Sequence, residues 1–291
     1  MKPIKAILFI SAMLFAALFS SCGNKHNSQT EANMPKFEPK FPQKSVWIHY
    51  NNSNDSIEIT FSSMEEAEWK LIHDVKQHDF CEAFEKVVLS DPSSMDYPFD
   101  SLFQNENFCE LCLPVRSDDG NVRCFGIYPH TAHEIPKMMT FYKQNDKLYK
   151  AEKSERAEDC YYCLRPDTIY TFNTDKSTIY LVWGYCGYTG EGNGFKLSAY
   201  ELDNTGLHPA SVFEDGDGQS LYTQICTNDE MYDELAKDHF RLLIYFDKNE
   251  SAIYARVLAE SDKGKSGCST KVTNRYEKYV WNGKKFVFKK L

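Results

Sequence analysis

The sequence is short of long apolar runs. The one that stands out, Ala6 to Phe19, has 14 residues and only Ser11 interrupts it. A bilayer-spanning helix needs about 20. Positive charge is also scarce, with 33 Lys and Arg against 42 Asp and Glu. A chain of that sign repels nucleic acid and anionic membrane surfaces, so nucleic-acid binding is excluded. Familiar catalytic signatures are missing too. The glycines of WGYCGYTGEGNGFK precede no Lys-Ser or Lys-Thr and no G-x-G-x-x-G opens a helix, which removes a phosphate loop. HEIPK lacks the second histidine of a zincin, and no G-x-S-x-G elbow offers an esterase nucleophile. No motif recurs at a fixed period of about 40 to 50 residues, so nothing supports a propeller.

What is present begins with an address. Lys2 and Lys5 form a basic n-region ahead of the apolar run, which matches the h-region of an export signal. Ser20, Ser21, Cys22 and Gly23 follow. This stretch resembles the lipobox of bacterial lipoproteins, with Phe19 standing where the family more often has Leu or another aliphatic residue. The resemblance implies that residues 1–21 are a signal peptide. It also implies that Cys22 is acylated, palmitate included, and becomes the new N-terminus in the cell envelope, with the outer membrane the expected location. The mature chain would carry 31 basic residues against 42 acidic ones, a net charge of −11. Its hold on the membrane would therefore come from acyl chains, several of which anchor firmly where one is marginal. Residues 23–44 are polar, carry three prolines and show no period of 2 or 3.6. They read as a tether with an r.m.s. reach of roughly 25 Å.

Residues 45–291 are long enough for one globular domain. The chain holds 20 Phe, 18 Tyr and 4 Trp, and aromatic residues favour strands. The expected class is α+β, mainly β: an antiparallel meander of hairpins with an N-terminal helical hairpin packed on it. VWIHY and IEITF flank the turn-rich NNSNDS and read as a hairpin. Ser62 with Glu65, and Ser63 with Glu66, form capping boxes. Apolar stripes after them predict helices over 63–77 and 80–89, and Thr227 with Glu230 predicts another over 229–237. Turn signals at DDGN, QND, NTDKS, DKNE and Asn282-Gly283 each separate two strand-like runs. IYLVWGY and LLIYF are apolar on both faces, which predicts two central strands covered on each side.

YPFDSL and the terminal RYEKYVWNGKKFVF complete a layout of lipobox, tether, short helices and strand-rich body. It resembles uncharacterised lipoproteins common in Bacteroidota. That family has no assigned activity, so the resemblance implies no site residues.

If Cys22 is acylated, nine cysteines remain, and exported proteins meet conditions in which disulfides persist. An odd number leaves at least one thiol over, and some read as small buried hydrophobes. Neither FCELC nor DCYYC continues into a helix, so a thioredoxin-like centre lacks its context. Zinc is the rival to disulfides: Cys109, Cys112, His130 and His133 could supply four ligands. The gaps are not those of ribbons or fingers, which favours disulfides or burial. FEDGDGQ clusters three carboxylates without the EF-hand frame and reads as a solvated turn. The glycine-rich stretch reads as a hairpin loop that presents Tyr185 and Tyr188 for binding. No cofactor is implied. The expected function is a non-enzymatic binding or accessory module of the envelope. Its partners would be the membrane, through the anchor, and a glycan or an envelope protein. The alternatives are a glycan-acting hydrolase that uses two carboxylates, and a zinc-stabilised module.

Overall fold

The computed structural model describes residues 34–49, 56–76, 79–103, 109–129, 137–151, 165–189, 192–214, 218–226, 229–238, 240–260 and 270–290. The chain divides into two compact units, Met1–Glu38 and Pro39–Leu291, and every described helix and strand lies in the second. That unit is mainly β, built from antiparallel hairpins with a few short helices.

Strands β1 (Lys44–His49) and β2 (Ser56–Phe61) pair across the polar NNSNDS segment. Helix α1 (Met64–His73) starts where Ser63 accepts from the Glu66 backbone N–H at 3.2 Å. The Glu66 carboxylate returns to the backbone N–H of Ser62, one residue before the N-cap, at 2.8 Å, while Glu65 pairs with Lys40 instead of closing a box with Ser62. The helix ends at His73, before the limit of 77 that the stripe suggested, because Asp74 already closes it as C-cap. Helix α2 (Phe80–Ser90) follows, then a 3₁₀ turn (Pro92–Met95) and the one-turn α3 (Asp100–Phe103). Two buried polar side chains tie this region together. Glu68 accepts from Tyr97 Oη at 2.5 Å and the Leu102 N–H at 2.7 Å. Arg123 donates to the carbonyls of Ser94 and Tyr97 at 2.8 and 2.6 Å.

Three sheets follow in chain order. The first is the meander β3 (Cys109–Arg116), β4 (Val122–Pro129), β5 (Lys137–Gln144) and β6 (Lys147–Lys150). The second has β7 (Arg165–Asn173), β8 (Thr178–Thr189), β9 (Gly192–Asp203) and β10 (Gly206–Pro209) side by side, with β11 (Ser220–Cys226) pairing the first half of β9. After helix α4 (Tyr232–Lys237), the third is the meander β12 (Ile244–Asp247), β13 (Ala252–Glu260), β14 (Thr270–Trp281) and β15 (Phe286–Lys289). The turns obey the expected chemistry. Asn145 and Asp146 between β5 and β6 take positive φ of 51° and 60°, as a type I′ turn requires. Gly283 between β14 and β15 does the same at 95°.

The sheets stack in layers, and side-chain alternation shows how. Phe125, Ile127 and Phe141 join the helices and β1–β2 in a first core. Val122, Cys124 and Tyr142 point the other way, against Tyr180, Val182 and Leu207 in a middle core. Ile179, Leu181, Trp183 and Phe195 then face Ile244, Ile253, Tyr279 and Phe286 in a third. The second sheet is therefore covered on both faces, which is why β8, flanked by β7 and β9, reads apolar throughout. The same inference fails for LLIYF. Among the described residues β12 pairs only with β13 and forms an edge of the outermost sheet. Tyr245 on its outer side stacks on Tyr254, with ring centroids 5.2 Å apart, instead of on another layer.

The β3–β4 turn is pinned to the second sheet by Tyr180, whose hydroxyl donates to Asp119 Oδ2 at 2.6 Å. Burial works against the Asp119 carboxylate. Hydrogen bonds from Ser117, Tyr180 and Asn121 outweigh it and hold the group below the usual carboxylate range. A depressed folded pKa adds stability above the unfolded value of about 3.9, and that stability is lost as pH falls through the folded value. Asp119→Asn should therefore lower the urea midpoint at pH 7 and leave it nearly unchanged near pH 2. An equal loss at both values would show that the charge is not the cause.

Candidate ligand-binding cleft

Where β3, the start of β7 and the segment around α4 approach one another, a cavity of about 650 Å³ opens. Each wall has a local cause. The β8–β9 ladder places Tyr185 opposite Phe195. Trp183 stacks on Phe195 with centroids 5.8 Å apart at 21°, and its enclosed Nε1 has no acceptor among the described residues. An unmet donor of that kind costs about 1–3 kcal/mol, a cost the surrounding packing must offset. The opposite wall comes from α4, which begins at Tyr232 with Met231 at the N-cap position, later than Thr227–Glu230 suggested. Asp229 sets that start: its Oδ1 accepts from the Met231 N–H at 2.9 Å and its Oδ2 from the Val272 N–H at 2.8 Å. Thr227 lies outside the described residues.

Beyond α4 the chain turns back sharply, and the Phe240 N–H reaches the Leu235 carbonyl at 2.8 Å. Phe240 adopts φ of +59°, a left-handed conformation that bulky residues rarely take. Its ring packs 4.6 Å from Phe195 and 5.1 Å from Tyr232, centroid to centroid. Backbone strain of about 1–2 kcal/mol accompanies this placement, as it does at Phe99, which takes φ of +58° inside the first core.

The polar groups are few and fixed. Tyr185 donates to Asn193 Oδ1 at 3.0 Å, and Asn193 Nδ2 donates to the Tyr232 oxygen at 2.8 Å. Tyr232 therefore accepts inside the wall, and its own proton is left for an acceptor in the cleft. Arg241 Nε bonds Asp167 Oδ2 at 2.6 Å across the rim, while the exposed Arg165 makes no ion pair among the described residues. Two guanidiniums and one carboxylate give the mouth a positive balance on an acidic protein.

Comparison with family models, curated proteins and solved structures finds no match. The cleft must therefore be interpreted from its own chemistry. A concave site lined by aromatic faces, with a few oriented donors, suits a ring-bearing polar ligand. An adjoining cavity of about 570 Å³ contains Asp118 and Asp167, which touches on the hydrolase alternative. Each carboxylate is already held by a cation, Asp118 by Lys248 and Asp167 by Arg241. That pattern braces a rim; it does not set a nucleophile opposite an acid.

The residues singled out from sequence fall as follows. Tyr185 lines the cleft, but from within β8 and half-buried instead of at a loop tip, because the ladder continues to Thr189 and Gly192. Tyr188 pairs with Asn193 through its backbone, and its side chain lies outside the described residues. Cys109 and Cys112 belong to β3, again with side chains outside the described residues, as Cys22, His130 and His133 are entirely. Among the described residues no group of three or more His, Cys, Asp or Glu could hold a metal. Cys226 is disulfide-bonded. Cys81 and Cys124 are buried thiols, and burial pushes Cys124 up to about 12, well away from reactivity. Sequence reasoning missed Arg165, Asp167, Asn193, Tyr232, Phe240 and Arg241. Only Asn193 carried a signal, since it sits inside the glycine-rich stretch beside Tyr185.

Proposed function

We propose that this protein is a lipid-anchored envelope protein that binds a sugar-bearing ligand in the aromatic cleft without catalysing a reaction on it. The observation that carries the reading is the set of rings lining one cavity, Trp183, Tyr185, Phe195, Tyr232 and Phe240, with oriented polar groups among them. Within that set the Tyr185–Asn193–Tyr232 chain fixes the polarity of two phenols, and the Tyr232 proton suits a sugar hydroxyl. Aromatic faces supply flat apolar surface for the other side of such a ring. The Cys226 disulfide agrees with an oxidising compartment, and acylation of Cys22 would place the body there. A glycan array and an envelope pull-down with residues 45–291 test the reading. Binding to glycans that Phe240→Ala weakens at least tenfold is the expected result, and silence in both experiments would contradict it.

A further inference from the structure

The C-terminal hairpin β14–β15 carries charge unlike the rest of the chain. Residues 270–290 hold seven Lys and Arg against one Glu, in a protein of net charge −9. Strand register fixes where several of them lie. Tyr245 pairs with Tyr254, Tyr254 with Lys278, and Lys278 with Lys289, so these four share one face in a row across four strands. Lys278 sits over the Tyr254 ring at 5.3 Å, and in the next row Arg256 sits over Tyr276 at 5.2 Å. Placing Lys278 directly opposite Lys289 is unfavourable by itself. Glu250 pairs with Lys278, but Lys284, Lys285, Lys289 and Lys290 have no anionic partner among the described residues. Lysine on the edge strand β15 can protect it from pairing with other chains. Edge protection does not account for Arg256 and Lys278, which lie on β13 and β14 inside the sheet.

This face is also the outermost layer. Phe41 and β1, where the chain enters the unit, pack in the first core, and the β12–β15 sheet closes the third. Within this unit the face is thus separated from the first core by the middle and third cores. We propose that it is a second binding surface, for an extended anionic polysaccharide. Its cations would meet carboxylate or phosphate groups, and its tyrosine edges would meet sugar hydroxyls. The row repeats at the strand spacing of about 4.8 Å, close to the length of one pyranose residue in an extended chain. A bilayer is less suited, because the row presents tyrosines and cations, and the aliphatic pair beside it, Val280 and Val287, is half-buried and does not protrude. The choice of a glycan over other polyanions rests on the envelope reading above. The surface itself does not depend on the cleft.

Full-length protein in detergent, titrated with polygalacturonate, dextran and polyglutamate, tests the proposal. Polygalacturonate should bind, more weakly as salt rises, and neutral dextran should not. The exposed triple change Lys284→Glu, Lys289→Glu, Lys290→Glu should cut that affinity at least tenfold with the thermal midpoint unchanged. Phe240→Ala should leave it intact, which separates failure here from failure of the cleft reading. Equal binding by the triple variant, or polyglutamate binding as tightly as polygalacturonate, would overturn the proposal.

Discussion

Arg123→Met should destabilise the protein by about 3 kcal/mol. Arg123 is 5 % exposed and is held by two backbone carbonyls, of Ser94 and Tyr97, rather than by a carboxylate. Its guanidinium lies 4.7 Å from the Phe125 ring centroid and 5.9 Å from that of Phe99. Two effects oppose each other. Removing a buried cation relieves its desolvation, which also lowers its pKa to about 10. The substitution strands two buried carbonyls, at about 1–3 kcal/mol each, and loses two cation–π contacts. Methionine keeps the stem but offers no donor, so the loss should win. Urea unfolding at pH 7 measures it, and a change below about 1 kcal/mol would mean that desolvation dominates.

Phe240→Ala should weaken ligand binding by tenfold or more, equivalent to about 1.4 kcal/mol, through loss of one cleft wall. Phe240→Gly separates the ring from the backbone. Both variants lose the packing on Phe195 and Tyr232. Glycine alone adopts φ of +59° without strain, so Phe240→Gly should be more stable than Phe240→Ala by about 1 kcal/mol while binding equally poorly. If the glycine variant binds like the wild type, the ring is not part of the site.

The hairpins were legible because their turn chemistry is local: Asn145-Asp146 and Asn282-Gly283 can do little else between alternating strands. The Ser63–Glu66 cap was legible for the same reason. What sequence could not distinguish was the place of a strand in the stack. Ile179–Trp183 and Leu243–Phe246 look alike as apolar runs, yet one is sandwiched between two cores and the other is an edge whose outer side is covered by tyrosines. The cleft was hidden for a related reason. Arg165, Asn193 and Phe240 come from three segments brought together only by sheet order, so no spacing along the chain announces them. Tyr185 was visible beside its glycines, but the hydrogen bond that gives it a role crosses a ladder.

Hydrogen–deuterium exchange of the full-length protein, with and without a glycan that binds, tests most directly whether the aromatic cleft is the binding site. Slower exchange confined to the β8–β9 ladder around Trp183–Phe195 and to the α4 segment through Arg241 is the result predicted. Protection that appears only elsewhere, with these two segments unchanged, would contradict it.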